Sequence, residues 1–148
     1  MAVSGTMYGL GMKHLVSDVN YISDTIKVAL CTNSYTPNQN THEFFSDVTN
    51  ELSTANGYTA GGATLGTKTL TYDTGTKQVR LGAANTAWTA TTGNTIGPAR
   101  RAVIYKSTGT ASTSPLLGWV DFGQDVSATG ADFTVTWDST GALRVSVS

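Results

Sequence analysis

Apolar and polar residues alternate along most of this chain with a period of two, the spacing of β-strands. In Thr25–Thr32, TIKVALCT, Ile26, Val28 and Leu30 share one face and Lys27, Ala29 and Cys31 the other, as in a central strand. Thr67–Asp73 and Lys77–Ala83 alternate in the same way, the second with Val79 and Leu81 inward. The DTGT between them predicts a hairpin turn in which Gly75 supplies positive φ. Ala87–Ala90 carries Trp88, and 91–98 reads as loop. Ala99–Ser107 and Leu116–Phe122 are apolar on both faces and therefore internal, with a flexible polar loop, 108–115, between them. Asp132–Asp138 places Phe133, Val135 and Trp137 on one face. After a turn at 138–141, Ala142–Ser148 closes with Leu143, Val145 and Val147 inward.

Two stretches break the period. Met12, Leu15, Val16 and Val19 recur at helical spacing and predict a short helix over Gly11–Asn20. After strand 25–32 comes CTNSYTPNQNTHEFFSDV, in which Pro37 stops any ladder. Asn40 precedes Glu43 by three residues, as at a helix start, and Phe44, Phe45 and Val48 form one apolar stripe. This predicts a second short helix over Thr41–Asn50, docked by its two Phe rings. On that reading the stretch is a clip closing one end of the fold, with loop 33–40 and segment 1–24 exposed for contacts. Residues 53–66 form a Gly-rich loop with Tyr58 as its only aromatic side chain.

Together these elements predict an all-β chain with one or two short helices: an antiparallel β-sandwich (jelly-roll-like) or a barrel, in a single domain. The expected division is an N-terminal segment or arm, 1–24, followed by a β-sandwich domain, 25–148.

Composition narrows the partners. With 148 residues and net charge −1, the chain has no basic field to attract nucleic acid or an anionic membrane. Only 13% of residues are charged, against roughly 25% in typical soluble domains. Thr, Ser, Gly and Asn fill the difference, giving a weakly self-repelling surface suited to close packing. The N-terminus lacks signal-peptide features and no apolar run could span a bilayer, so synthesis in a cytoplasm is expected.

Candidate chemistry is sparse. Cys31 alone excludes an internal disulfide and a cysteine-based zinc site. His42 near a helix start, paired with Cys31, would imitate a Cys–His dyad, but no orienting acid accompanies them. Asp121 and Asp125 would serve as half of a carboxylate pair or metal site, although strand-end carboxylates more often cap turns. The GYTAGG loop, 57–62, lacks the Lys-Ser/Thr of a phosphate loop. Arg100 and Arg101 are adjacent on a strand and should point to opposite faces. Trp88, Trp119, Trp137, Tyr58 and Tyr105 would suit a sugar-stacking face, yet their register with Val and Phe is that of core residues. No catalytic, cofactor-binding or metal-binding residue is assigned, and no cofactor is expected.

Four segments nevertheless carry a resemblance: 24–52, with SYTPNQNTHEFFSDVTNE; 57–73, beginning GYTAGG; 99–123; and 133–147. From residue 24 onward they make the chain similar to a family of small virion structural proteins of tailed bacteriophages and prophages, of the capsid decoration or cement type. The resemblance implies a non-enzymatic protein made in the bacterial host cytoplasm and bound to the outside of the virion head. It implies the major capsid protein as partner and a homotrimer bridging coat subunits, without nucleic acid or membrane. The alternative is a tail- or fibre-associated virion protein binding a host glycan.

Overall fold

The computed structural model describes residues 2–147; Met1 and Ser148, the ends of the expected arm and of the expected last strand, lie outside the described residues. The chain is an antiparallel β-sandwich, as its period predicts. Its elements run β1 Ala2–Val3, β2 Thr6–Met7, helix α1 Gly9–Ser17, β3 Ile26–Cys31, β4 Ala63–Thr64, β5 Thr69–Asp73, β6 Gln78–Gly82, β7 Thr86–Thr89, β8 Thr95–Lys106, β9 Leu116–Thr129, β10 Asp132–Trp137 and β11 Leu143–Ser146. The five-stranded sheet has the order β2-β9-β8-β3-β4. Two three-stranded sheets, β1-β10-β7 and β11-β6-β5, cover one of its faces. None of the three closes on itself, so the structure decides for sandwich over barrel.

The main core lies between these layers. Ile26, Val28 and Leu30 of β3 and Ala102 and Ile104 of β8 meet Leu81, Leu143, Trp88, Phe133, Val135 and Trp137 from the smaller sheets. The alternate residues of the same strands, Ala29, Cys31, Val103 and Tyr105, enter a second cluster on the opposite face, with Tyr8, Tyr35 and Leu116. Burial on both sides is why the β8 and β9 sequences are apolar at consecutive positions.

Several local expectations change. Residues 2–24, expected as an arm, contribute β1, which pairs in parallel with β10, and β2, which pairs with β9. The helix in this segment starts two residues earlier than its apolar spacing suggests and stops at Ser17. The expected helix over Thr41–Asn50 is a single 3₁₀ turn, Phe45–Asp47. The Asp47 carboxylate captures the Glu43 and Phe44 amides at 2.8 and 3.0 Å, while Asn38, not Asn40, caps the preceding turn. That local capture competes with helical bonding. At 73–76 the Asp73 carboxylate binds the Thr76 amide at 2.7 Å, and the left-handed residue is Lys77 at φ 55°, not Gly75.

The loop expected at 91–98 ends early, because β8 begins at Thr95 and passes through Pro98. Its pairing with β9 shifts register between Ile96 and Ala99, and Pro is tolerated at such an irregularity because no ladder amide is demanded of it. Loop 108–115 is braced by its own hydroxyls: Thr108 Oγ1 lies 2.6 Å from Thr113 Oγ1, and buried Ser114 donates to the Thr110 carbonyl at 2.8 Å. Val147, expected inward, is half exposed.

Candidate functional site

The stretch 33–48 lies against the second cluster and is tied down from every side. Tyr35, in the loop expected to be exposed, is buried. Its hydroxyl lies 3.0 Å from His42 Nδ1 and 2.7 Å from the Tyr8 hydroxyl. The Asn38 amide also points at His42 Nδ1, at 3.3 Å, so this nitrogen is an acceptor and carries no proton. The chain of donors therefore runs from Tyr8 to Tyr35 to His42. Burial first, then the bond to Tyr35, pushes the Tyr8 hydroxyl far above its ordinary value, which keeps it a neutral donor.

A second bridge joins the stretch to α1. His14 Nδ1 is 2.8 Å from Asp18 Oδ1 and Nε2 is 2.9 Å from Glu43 Oε1. The ring thus bridges two carboxyl groups, one on α1 and one in the clip, with both ring nitrogens at hydrogen-bond distance. The bond to His14 is the main reason the Asp18 carboxyl lies below its ordinary value. The Glu43 carbonyl accepts from the Leu116 amide at 2.8 Å, and the Phe45 amide donates to the Ser114 carbonyl at 2.8 Å. The Phe45 ring stacks on Tyr105, with centroids 4.1 Å apart. The stretch is a clip, held by rings and hydrogen bonds rather than by a helix.

The arginine doublet belongs to the same bracing. Arg100 Nε lies 2.6 Å from Asp121 Oδ1 and Arg101 lies 3.4 Å from Asp121 Oδ2, so both reach one carboxylate instead of opposite faces. The cause is a register shift between Ala99 and Arg101, which breaks strict alternation. Arg101 also donates to the carbonyls of Asn33 and Tyr35, at 3.1 and 2.6 Å. Burial raises the Asp121 carboxyl, but the Arg100 bond, the Gly123 amide and the two guanidinium charges outweigh it and hold it below its ordinary value.

The Gly-rich loop is a second plug. The Tyr58 hydroxyl donates to Glu51 at 2.7 Å and accepts from the Leu30 amide at 2.9 Å. The Gly61 amide donates to the same carboxylate and its carbonyl accepts from Tyr105 at 2.6 Å. Gly62, at φ 77°, lies so close to the Val28 carbonyl that any Cβ would collide with it. The amides a phosphate would need are thus taken: Gly61 donates to Glu51, Ala60 to the Thr54 hydroxyl and Gly62 to the Thr59 carbonyl.

The remaining candidates are not brought together as a reaction centre. Cys31 is buried beside Tyr8 and Tyr35, and burial pushes its thiol up to about 12, which keeps it protonated and unreactive. Asp125 is exposed. Trp88, Trp137, Tyr58 and Tyr105 are buried and Trp119 is half-buried against Tyr8, so these five form no sugar-stacking face. Among the described residues no cluster of His, Cys, Asp or Glu has the arrangement of a metal site, and no helix is long and apolar enough to cross a membrane.

Sequence reasoning passed over His14. Its i, i+4 spacing from Asp18 on a predicted helix is a legible sign of one partner; Glu43, from a distant loop, is not. No protein-family model, curated protein or solved structure matches this chain.

Proposed function

We propose that this chain is a non-catalytic structural protein of a tailed-phage virion, bound to the outside of the assembled head, where it bridges major capsid protein subunits. Its work is thermodynamic: a protein that binds only the assembled lattice stabilises that lattice by mass action, and several weak contacts per particle add through multivalency. The resemblance in segments 24–52, 57–73, 99–123 and 133–147 supplies the virion context.

The observation that carries the reading is the commitment of the reactive groups to internal bracing. Asp121 holds two arginines, Glu51 holds the Gly-rich loop, His14 and His42 hold the clip, and Cys31 is core. A cross-braced sandwich with a low-charge, hydroxyl-rich surface suits close contact with neighbouring subunits. The glycan-binding alternative needs exposed aromatic rings, and the five rings named for it are buried or half-buried.

The test is to add the purified protein to heads that lack it, image them, and follow their thermal disruption. The expected result is ordered density on the outer surface and a higher disruption temperature. Absence of the protein from purified virions, or no density on heads at saturating concentration, would overturn the reading.

A further inference from the structure

We infer that strand β5 is an interface between two copies of this chain, paired edge to edge in antiparallel fashion about a twofold axis. The inference rests on the fold alone and stands whether or not the protein binds a virion.

β5 is the outer strand of the sheet β11-β6-β5, and its Thr69–Tyr72 are all exposed. Leu70 and Tyr72 are 52% and 54% exposed, on the apolar face that continues inward through Val79, Val145 and Leu81. This face borders a groove of about 550 Å³ between the sheet and α1, with Val16 on its rim. An edge strand presents a row of unpaired backbone groups, and proteins usually guard such edges with charge, proline, bulges or a covering segment. β5 has none of these at its middle. Lys68, just before it, is turned onto the Asp24 carbonyl, and Asp73, at its end, pairs with Arg80 at 3.2 Å.

The other edges differ. β1, β2 and β4 have two residues each. The open end of β9 carries Asp121 and Asp125 and turns at Gly123, φ 80°. Past β11, the Gly5 amide donates to the Ala142 carbonyl and Arg144 to the Ser4 hydroxyl, so the N-terminal segment covers that side. β7 lies beside β4. Among the described residues β5 is the one edge of five residues left unguarded, so the strand that best matches it is another β5.

Its sequence is self-complementary in that arrangement. Antiparallel pairing centred on Thr71 sets Thr71 opposite the partner's Thr71, Leu70 opposite the partner's Tyr72, and Thr69 opposite the partner's Asp73. Thr–Thr and aliphatic–aromatic pairs are favourable across strands, and no like charges meet. The product is a six-stranded sheet whose two apolar faces form one surface. The twofold pair is an alternative to the homotrimer implied by the resemblance.

The experiment uses the purified full chain. Light scattering across concentration should give twice the chain mass, falling to a single chain for Leu70→Lys/Tyr72→Lys, with the circular dichroism spectrum retained because both side chains are half exposed. Directly opposed residues in an antiparallel pair have Cα atoms roughly 4.5–5.5 Å apart, within the roughly 4.4–6.8 Å span of a disulfide. Thr71→Cys should therefore oxidise to a covalent dimer, while Asn40→Cys, on an exposed loop, should not. Buried Cys31 does not compete. A single-chain mass at every concentration, a trimer, or no faster cross-linking at Thr71→Cys than at Asn40→Cys would overturn the inference. Should the double lysine variant misfold, the cysteine pair decides alone.

Discussion

The five-stranded sheet is covered differently on its two faces. On one, Ile26, Val28, Leu30 and Ile104 meet side chains delivered by other strands, and the contact is almost wholly apolar. On the other, Ala29, Cys31, Val103 and Tyr105 meet an irregular segment, and Tyr8, Tyr35, His42, His14, Glu43 and Arg101 supply hydrogen bonds as well as area. A strand brings its own satisfied backbone to a core. A loop does not, and its amides and carbonyls must find partners one at a time. The first face therefore depends on volume and area, and the second on particular polar atoms.

The largest expected effect lies on the strand-covered face. Leu30 has no exposed surface and its neighbours are fixed in ladders, so Leu30→Ala leaves a cavity that cannot collapse. The expected loss is about 2–5 kcal/mol of global stability, measured by urea unfolding. A loss below about 1 kcal/mol would mean that this face is no more demanding of shape than the loop-covered one.

Phe45→Ala probes the other face. The ring stacks on Tyr105 but is only half-buried, so the expected loss is roughly 2 kcal/mol, less than the ~3–5 kcal/mol of a fully buried Phe. The comparison sharpens if amide exchange accelerates first in 38–48 while β3 and β8 stay protected. Uniform acceleration would show that clip and sandwich unfold as one unit.

These two faces also differ in how far the sequence reveals them. Strict alternation in Thr25–Thr32 and Asp132–Asp138 leads directly to β3 and β10, because period two is a local property of the strand. It also indicates that the faces of β8 are both buried, though not by what. Helical spacing locates α1 to within three residues at either end. Phe44, Phe45 and Val48 share helical spacing too, yet the Asp47 carboxylate takes the amides and leaves one turn. The arginine doublet misleads because a register shift is a property of two strands, not of one. His14 and Glu43, or Arg101 and the Tyr35 carbonyl, are joined across long separations by the closure of the sandwich, and no window of sequence contains both. What is local is legible; the polar bonds that dock the clip are almost all non-local.

The smallest effect expected is also the most specific to the loop-covered face. The Phe44 and Glu43 amides, in that order, hold the Asp47 carboxyl below its ordinary value of 3.8. A carboxyl with a depressed folded pKa contributes stability that is complete above its unfolded value and is lost as pH falls through the folded one. The contribution of Asp47 is therefore full at neutral pH and disappears below 3.8. Removing an acceptor that caps backbone amides costs about 1 kcal/mol, so Asp47→Ala should be less stable than the parent by about that much at neutral pH. The difference should shrink as pH falls below 3.8 and through the parent's depressed folded value, where its carboxyl takes up a proton. Asp18 and Asp121, depressed by His14 and by the two arginines, weaken both proteins alike in acid, so the quantity to follow is the gap between the two melting curves. A gap that stays constant throughout acid titration would mean that Asp47 acts by shape alone, and the loop-covered face would then depend on packing as the strand-covered face does.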